Sequence, residues 1–256
     1  MRVSTRVVGT WLALGLALLA LPSRAEPAKP PKPPAEVPQA EDVLRAMSKY
    51  LAKMKAFSYH GEVEFDQILP GGPKVRLSGA VDVAVARPGS LHVDYRDDVS
   101  DRLVWLQNGL ATLLDPVGGT YSQISGPKDI DGMVAKLEKE YGVSLPLGEF
   151  AESDPHAVLT RGVEFAHYLG VHNVEGVFCH HVVLQSKDLD LQVWVEVGDK
   201  PLPRKLVFDY PTRVGQPQYE VSITEWSFAA PKPELFVPKI PKGAGKVGFL
   251  PIGEGR

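Results

Sequence analysis

The chain has 256 residues, with 28 Lys and Arg against 31 Asp and Glu, and a single cysteine. The acidic balance argues against a nucleic-acid partner and against docking on anionic lipid by charge alone, and the one cysteine, Cys179, excludes an internal disulfide. Stability must therefore come from a packed core, for which residues 40–256 suffice as one domain.

The N-terminus reads as an export signal. Arg2 and Arg6 precede the apolar run Trp11 to Leu21, and Ser23-Arg24-Ala25 offers small residues where a signal peptidase reads. Residues 1–25 are expected to be removed near Ala25, leaving a soluble exported protein. The apolar run falls short of the roughly 18 or more residues of a membrane span, so no transmembrane segment is expected after cleavage. No cysteine follows it that could carry lipid. Cleavage removes Arg2, Arg6 and Arg24 but no acidic residue, so 25 basic groups face 31 acidic ones and the net charge is −6. Residues 26–39 (EPAKPPKPPAEVPQ) form a proline-rich, disordered linker, extended because proline lacks a backbone donor and resists collapse.

From Glu41 the spacing turns helical, with Val43, Leu44, Met47, Tyr50, Leu51 and Met54 on one stripe. It then switches to period two. Phe57, Tyr59, Val63 and Phe65 alternate with Ser58, His60, Glu62 and Glu64. Pro70-Gly71-Gly72-Pro73 makes the turn, and Val75, Leu77, Val81, Val83 and Val85 continue on the partner strand. Shorter strands follow at 91–95, 102–106, 110–114 and 120–124, so an antiparallel meander of about six strands is predicted. Helical spacing returns over Pro127 to Tyr141 and stops at Gly142, with short helical pieces at 147–151 and 155–162. A second set of strands is predicted at 165–172, 177–185, 189–197, 204–210 and 218–228, with a late one at 246–250. The run from Asp188 to Val197 is the clearest: Asp188, Asp190, Gln192, Trp194 and Glu196 share one face, and Leu189, Leu191, Val193, Val195 and Val197 the other. The order of helix, strands, helices, strands predicts an α+β chain whose helices cover one face of a large antiparallel sheet.

The opening helix, EKEYGVSLPL, GVFCHH, QVWVEVGDKPLPRKL and PQYEVSITEW occur here in that order. Together they resemble an uncharacterised family of predicted periplasmic proteins, the domain of unknown function 2092, over nearly the whole of 40–250. GVFCHH and GDKPLPRKL are its specific parts. One run departs from the family's pattern: Leu103 to Gly109 stands where the family tends to carry an aromatic, acidic strand. The resemblance implies a LolA-like fold, an open, strongly curved antiparallel β-sheet (an incomplete barrel) with helices over its concave face. It also implies a periplasmic location and, by likeness to lipoprotein carriers and sensors, a greasy cavity for acyl chains.

No catalytic constellation emerges from the residues. Cys179-His180-His181 is the metal suspect, but on a strand only Cys179 and His181 converge, and a structural zinc wants four ligands. A buried cysteine flanked by hydrogen-bonded histidines accounts for the segment as well. Asp188, Asp190 and Glu196 read as a solvated strand face, and Gly243-Ala244-Gly245-Lys246 lacks the Ser or Thr and the helix of a phosphate loop. Trp105, Trp194 and Trp226 could form a stacking platform or simply pack the sheet. The expected function is non-enzymatic, without metal or cofactor: binding of a lipid, lipoprotein or acyl chain by Val63, Phe65, Leu77, Val81, Val83, Val93, Tyr95, Leu191, Val193, Leu206 and Phe208 on the concave face. The alternatives are an interaction module with a filled core, whose partner would be another envelope protein, and a metal protein using Cys179 and His181.

Overall fold

A computed structural model describes residues 39–145 and 147–249. The expected signal peptide and nearly all of the proline-rich linker lie outside the described residues. The first meander consists of β1 (Ala56–Ile68), β2 (Lys74–Ala86), β3 (Ser90–Asp97), β4 (Asp101–Gln107), β5 (Leu110–Asp115) and β6 (Thr120–Ser125), each antiparallel to the one before. The second consists of β7 (Val163–Val174), β8 (Val177–Ser186), β9 (Asp190–Glu196), β10 (Pro203–Asp209) and β11 (Gln218–Ser227). β11 returns to pair with β1, Val63 opposite Val221, and fuses both meanders into one 12-stranded sheet. A two-residue strand, β12 (Gly245–Lys246), adds to β6 in parallel. This is less than the late strand predicted at 246–250. β7 and β12 are the two edges and do not pair with each other, so the curved sheet stays open.

Side-chain alternation sets which face is dry. Along β9, Leu191, Val193 and Val195 are buried while Asp190, Gln192, Trp194 and Glu196 are half-buried on the other side. Across the strands, Val193 meets Val182 and Leu206, which meets Val221 and then Val63. One apolar row therefore runs across the inner face. A bulge between His60 and Gly61 shifts the β1–β11 register and turns Trp226 onto Tyr59, at 4.7 Å between ring centroids.

The helices cover that face. α1 (Ala40–Ala52) buries Val43, Leu44, Met47 and Leu51 and lies against β7, β8 and β9. α2 (Ile130–Tyr141) starts three residues later than the spacing suggests, because the Asp129 side chain caps it by accepting from Gly132 N–H. Gly142 ends it in the left-handed region at φ 66°. A 3-10 turn (Gly148–Phe150) and α3 (Pro155–Leu159) follow, α3 packing on α1. Arg87 ties these pieces together. Its guanidinium donates to the carbonyls of Leu51, Met54, Phe150 and Glu152 at 2.7–3.2 Å, and its Cζ lies 5.2 Å from the centre of the Phe57 ring. At the end of α1 the carbonyl of Leu51, which also accepts from Met54 N–H at 3.0 Å, and that of Met54 thus gain a charged donor.

Candidate ligand cavity

The segment from Gly142 to Ala151 decides which part of the inner face is filled. Leu147 is buried in the left-handed region at φ 56°, a conformation that costs a branched side chain about 1–3 kcal/mol. The Tyr59 hydroxyl holds it there by donating to its carbonyl at 2.5 Å. Its side chain sits above Gly61, where an added Cβ would stand 3.0 Å from Val221 Cγ1 and 3.7 Å from Leu147 Cδ1. Glycine at this place in β1 spares Val221 and Val81 on the two neighbouring strands, the latter 3.3 Å from such a Cβ, while Leu147 would stand at ordinary contact distance. Phe150 then packs on Tyr59 and Trp226. This half of the concave face is a closed core.

Beyond that segment the face stays open as two adjoining chambers. The first, about 360 Å³, is lined by Val93, Val104, Leu113, Leu114, Val143 and Leu145, with Val247 and Phe249 of the C-terminal tail over it. Ser122 pins that tail by donating to the Val247 carbonyl at 2.9 Å. The second, about 590 Å³, is lined by Phe65, Tyr95, Leu145, Leu147, Phe208, Tyr210 and Tyr219, with Asp97, Arg102 and Glu149 as its charged groups. Tyr95, Arg102, Ser144 and Leu145 belong to both walls, so the chambers meet there. Each volume lies in the range of small-molecule sites, about 300–1,000 Å³.

The polar groups of the larger chamber differ in how they are satisfied. Asp97 accepts from the backbone N–H groups of Val99 and Ser100 at 2.8 and 2.6 Å and so belongs to its turn. Glu149 Oε2 and Tyr219 Oη are buried with no partner at hydrogen-bond distance among the described residues, the Tyr95 hydroxyl being the polar neighbour that acts on Tyr219. Burial, aided by the charge of Glu138, pushes the Glu149 carboxyl up to about 7. Burial also pushes Tyr95 up to about 12 and raises Tyr219 far above the usual phenol range. Orphaned buried polar atoms are rare in folded proteins, because each costs about 1–3 kcal/mol. Two in one cavity mark the place where a ligand would repay most.

The residues expected on the ligand face divide between these regions. Phe65, Tyr95 and Phe208 line the larger chamber, and Val93 and Tyr95 the smaller. Val63, Val81, Val83, Leu191, Val193 and Leu206 are fully buried in the common core. Leu77, opposite Phe65 on β2, is half-buried and lines neither chamber. Arg102, Glu149, Tyr210 and Tyr219 were not among the expected residues. Tyr219 shares the alternation of Val221 and Ile223, and Glu149 stands between Leu147 and Phe150, which was the available signal.

Cys179 and His181 lie on the opposite, outer face. Burial pushes the Cys179 thiol up to about 12 and lowers His181, whose ring stacks on Trp194 at 4.0 Å. With the imidazole neutral, His181 Nε2–H donates to Gln192 Oε1 at 3.1 Å and its Nδ1 accepts from His172 Nδ1–H at 3.1 Å. Both His181 nitrogens are therefore engaged. Among the described residues, no group of three or more His, Cys, Asp or Glu side chains gathers as metal ligands. Trp105, Trp194 and Trp226 form no common platform. Trp105 stacks on His92, Trp194 on His181, and Trp226 packs among Tyr59, Phe57 and Phe228. Of the acidic strand residues, Glu196 pairs with Arg204 Nε at 2.9 Å.

Comparison with known proteins bears on fold and family. Residues 40–250 match the profile of a family described as "Predicted periplasmic protein (DUF2092)". No curated protein matches the chain. An uncharacterised conserved protein of Thermus thermophilus has a similar fold at TM-score 0.50 and 10% identity, over 82% of this chain and 98% of that one. Looser likenesses include the lipoprotein LppX of Mycobacterium tuberculosis, at TM-score 0.42 and 13% identity over 73% and 94% of the two chains. A LolA superfamily protein of Nitrosomonas europaea follows at TM-score 0.36 and 8% identity, over 79% and 99%. At such identities the likeness is one of fold. Among the described residues, no helix is long and apolar enough to cross a membrane.

Proposed function

This chain belongs to the DUF2092 family of predicted periplasmic proteins, and we propose that it is a non-enzymatic carrier or sensor that holds the acyl chain of a lipid or lipoprotein in its two-chambered cavity. On this reading residues 1–25 direct export and are removed near Ala25, residues 26–39 tether the folded domain, and residues 40–256 form one unit working in the periplasm. The observation that carries the proposal is the apolar chamber of about 360 Å³ left open between the sheet, the Gly142–Leu145 segment and the C-terminal tail. Each acyl methylene moved from water into it contributes about 0.8 kcal/mol, so a single chain can be held with few polar contacts.

The test is uptake of a fluorescent fatty acid by the wild-type protein and by Leu113→Trp. Leu113 is half-buried in the wall of this chamber, so indole there fills the space while keeping it apolar. Saturable uptake by the wild type and its loss in a folded Leu113→Trp is the expected result. Absence of uptake by the wild type would refute the proposal.

A second reading rests on the free edge of the sheet. β7 is a 12-residue edge strand with Phe165 and Leu169 exposed, and an unpaired edge accepts a further strand. An envelope protein supplying an extended segment fits that edge.

A further inference from the structure

We infer that the larger chamber is the head-group subsite of the proposed acyl-binding cavity, and that it selects a zwitterionic amphiphile bearing an ammonium and a phosphate. The inference rests on the acyl-binding reading, and it starts from the two unsatisfied atoms, Glu149 Oε2 and Tyr219 Oη. One is a carboxyl group that needs a cation or a donor, and the other is a hydroxyl that needs an acceptor. Both residues line the larger chamber, with opposite requirements. A phosphate joined to an ammonium by a short linker meets both.

The walls agree with this division. Phe65, Phe208 and Tyr219 form a contiguous aromatic surface, with Tyr219 5.9 Å from Phe208 and 6.4 Å from Phe65 between ring centroids. A cation beside aromatic faces and a carboxylate is the environment in which ammonium groups are recognised. The groups whose charge is felt around Glu149 are Glu138 on α2, Glu152, Tyr59 on β1, Tyr219 on β11 and Tyr210. None of these brings a positive charge. Of the nearby basic groups, Arg87 is held by four carbonyls, those of Phe150 and Glu152 among them, and Arg213 is stacked on Tyr210 at 4.0 Å, while Arg102 stands in the walls of both chambers. Arg102 is therefore placed where a phosphate would sit between an acyl tail in the smaller chamber and an ammonium in the larger. Its guanidinium and the Tyr219 hydroxyl donate, and the phosphate oxygens accept.

An ammonium also favours the ionised carboxylate, so it draws the Glu149 proton off and binds better as pH rises through about 7. A ligand that instead accepts a hydrogen bond from protonated Glu149 would bind worse over the same range. The sign of the pH dependence thus separates the two chemistries.

The experiment is calorimetric titration of the full mature chain at pH 8 and pH 5.5 with three probes sharing a dodecyl tail, each below its micelle concentration: dodecylphosphocholine, dodecyl phosphate and dodecyl maltoside. Dodecylphosphocholine is expected to bind at least tenfold more tightly than the other two at pH 8, with the preference shrinking at pH 5.5. Glu149→Gln, nearly isosteric, should lose about tenfold for dodecylphosphocholine at pH 8 and so shrink its preference over dodecyl maltoside. Tyr219→Phe should weaken both phosphate probes several-fold. Equal affinity for all three probes would overturn the head-group inference and leave acyl binding standing. So would dodecyl phosphate binding as tightly as dodecylphosphocholine, or tighter binding at pH 5.5 than at pH 8. Failure of all three to bind would remove the acyl-binding reading as well.

Discussion

Replacing Glu149 by glutamine should make the unliganded protein more stable at alkaline pH, an unusual outcome for loss of a charged group next to a core. Burial raises its carboxyl from 4.5 to about 7. The folded state therefore keeps the proton that the unfolded chain gives up, and stability falls as pH rises from about 4.5 through about 7. At about 1.4 kcal/mol per pKa unit the full penalty above pH 7 is at most about 3.5 kcal/mol. Relaxation of the chamber wall around an ionised carboxylate makes that figure a ceiling. Glutamine carries its own unsatisfied amide, at about 1 kcal/mol, but that cost does not change with pH. The quantity to read is thus the change in the mutant-minus-wild-type difference between pH 5 and pH 8.5, expected at about 2 kcal/mol in favour of glutamine. Glu152, also pushed up to about 7 by burial, is present in both proteins and largely cancels. Urea unfolding at the two pH values gives the number. A difference independent of pH, or one growing in favour of glutamate at pH 8.5, would refute the placement of this carboxyl.

Three further outcomes follow from the packing. Cys179, with its thiol pushed up to about 12, should be about one part in ten thousand thiolate at pH 8 and resist a disulfide reagent until urea is added; Cys179→Ala should cost at most about 2 kcal/mol, and rapid labelling of the folded protein would contradict the burial. Arg87→Met should cost about 3 kcal/mol, because charged hydrogen bonds are worth about 1.5–3 kcal/mol each and four carbonyls lose one donor together; a change below about 1 kcal/mol in urea unfolding would show that the clamp is idle. The intact mass of the exported protein should correspond to a chain starting at or near Glu26, and a mass that includes Met1 to Ala25 in the membrane fraction would contradict the proposed processing.

Much of the fold was legible because the sheet is wet on one side and dry on the other, so period two survives in nearly every strand. Asp190 to Glu196 is the clearest instance, and its burial alternates residue by residue. The union of the two meanders was not legible. It depends on β11 meeting β1 with a bulge at Gly61, and cross-strand register leaves no local trace. The same blindness covered His172, which meets His181 only through the β7–β8 pairing.

The cavity itself was half visible. Val83 and Val93 look alike in sequence, both inward on neighbouring strands and paired with each other. Both are core residues, but Val93 also lines the smaller chamber and Val83 neither chamber, a distinction made by what the Gly142–Ala151 segment leaves uncovered. Glu149 was hidden for a different reason: a charged residue in a short helical piece normally faces solvent. Here Leu147 and Phe150 anchor the piece on either side and carry the carboxyl inward.

The central claim is that the open half of the concave face holds an acyl chain. Native mass spectrometry of the protein isolated from the periplasm without detergent, followed by organic extraction, addresses it most directly. The account predicts one acyl-bearing molecule per chain in the wild type and a bare protein for folded Leu113→Trp. A wild-type protein that carries no lipid, and takes none up when offered vesicles, would mean that these chambers are only an imperfectly filled core.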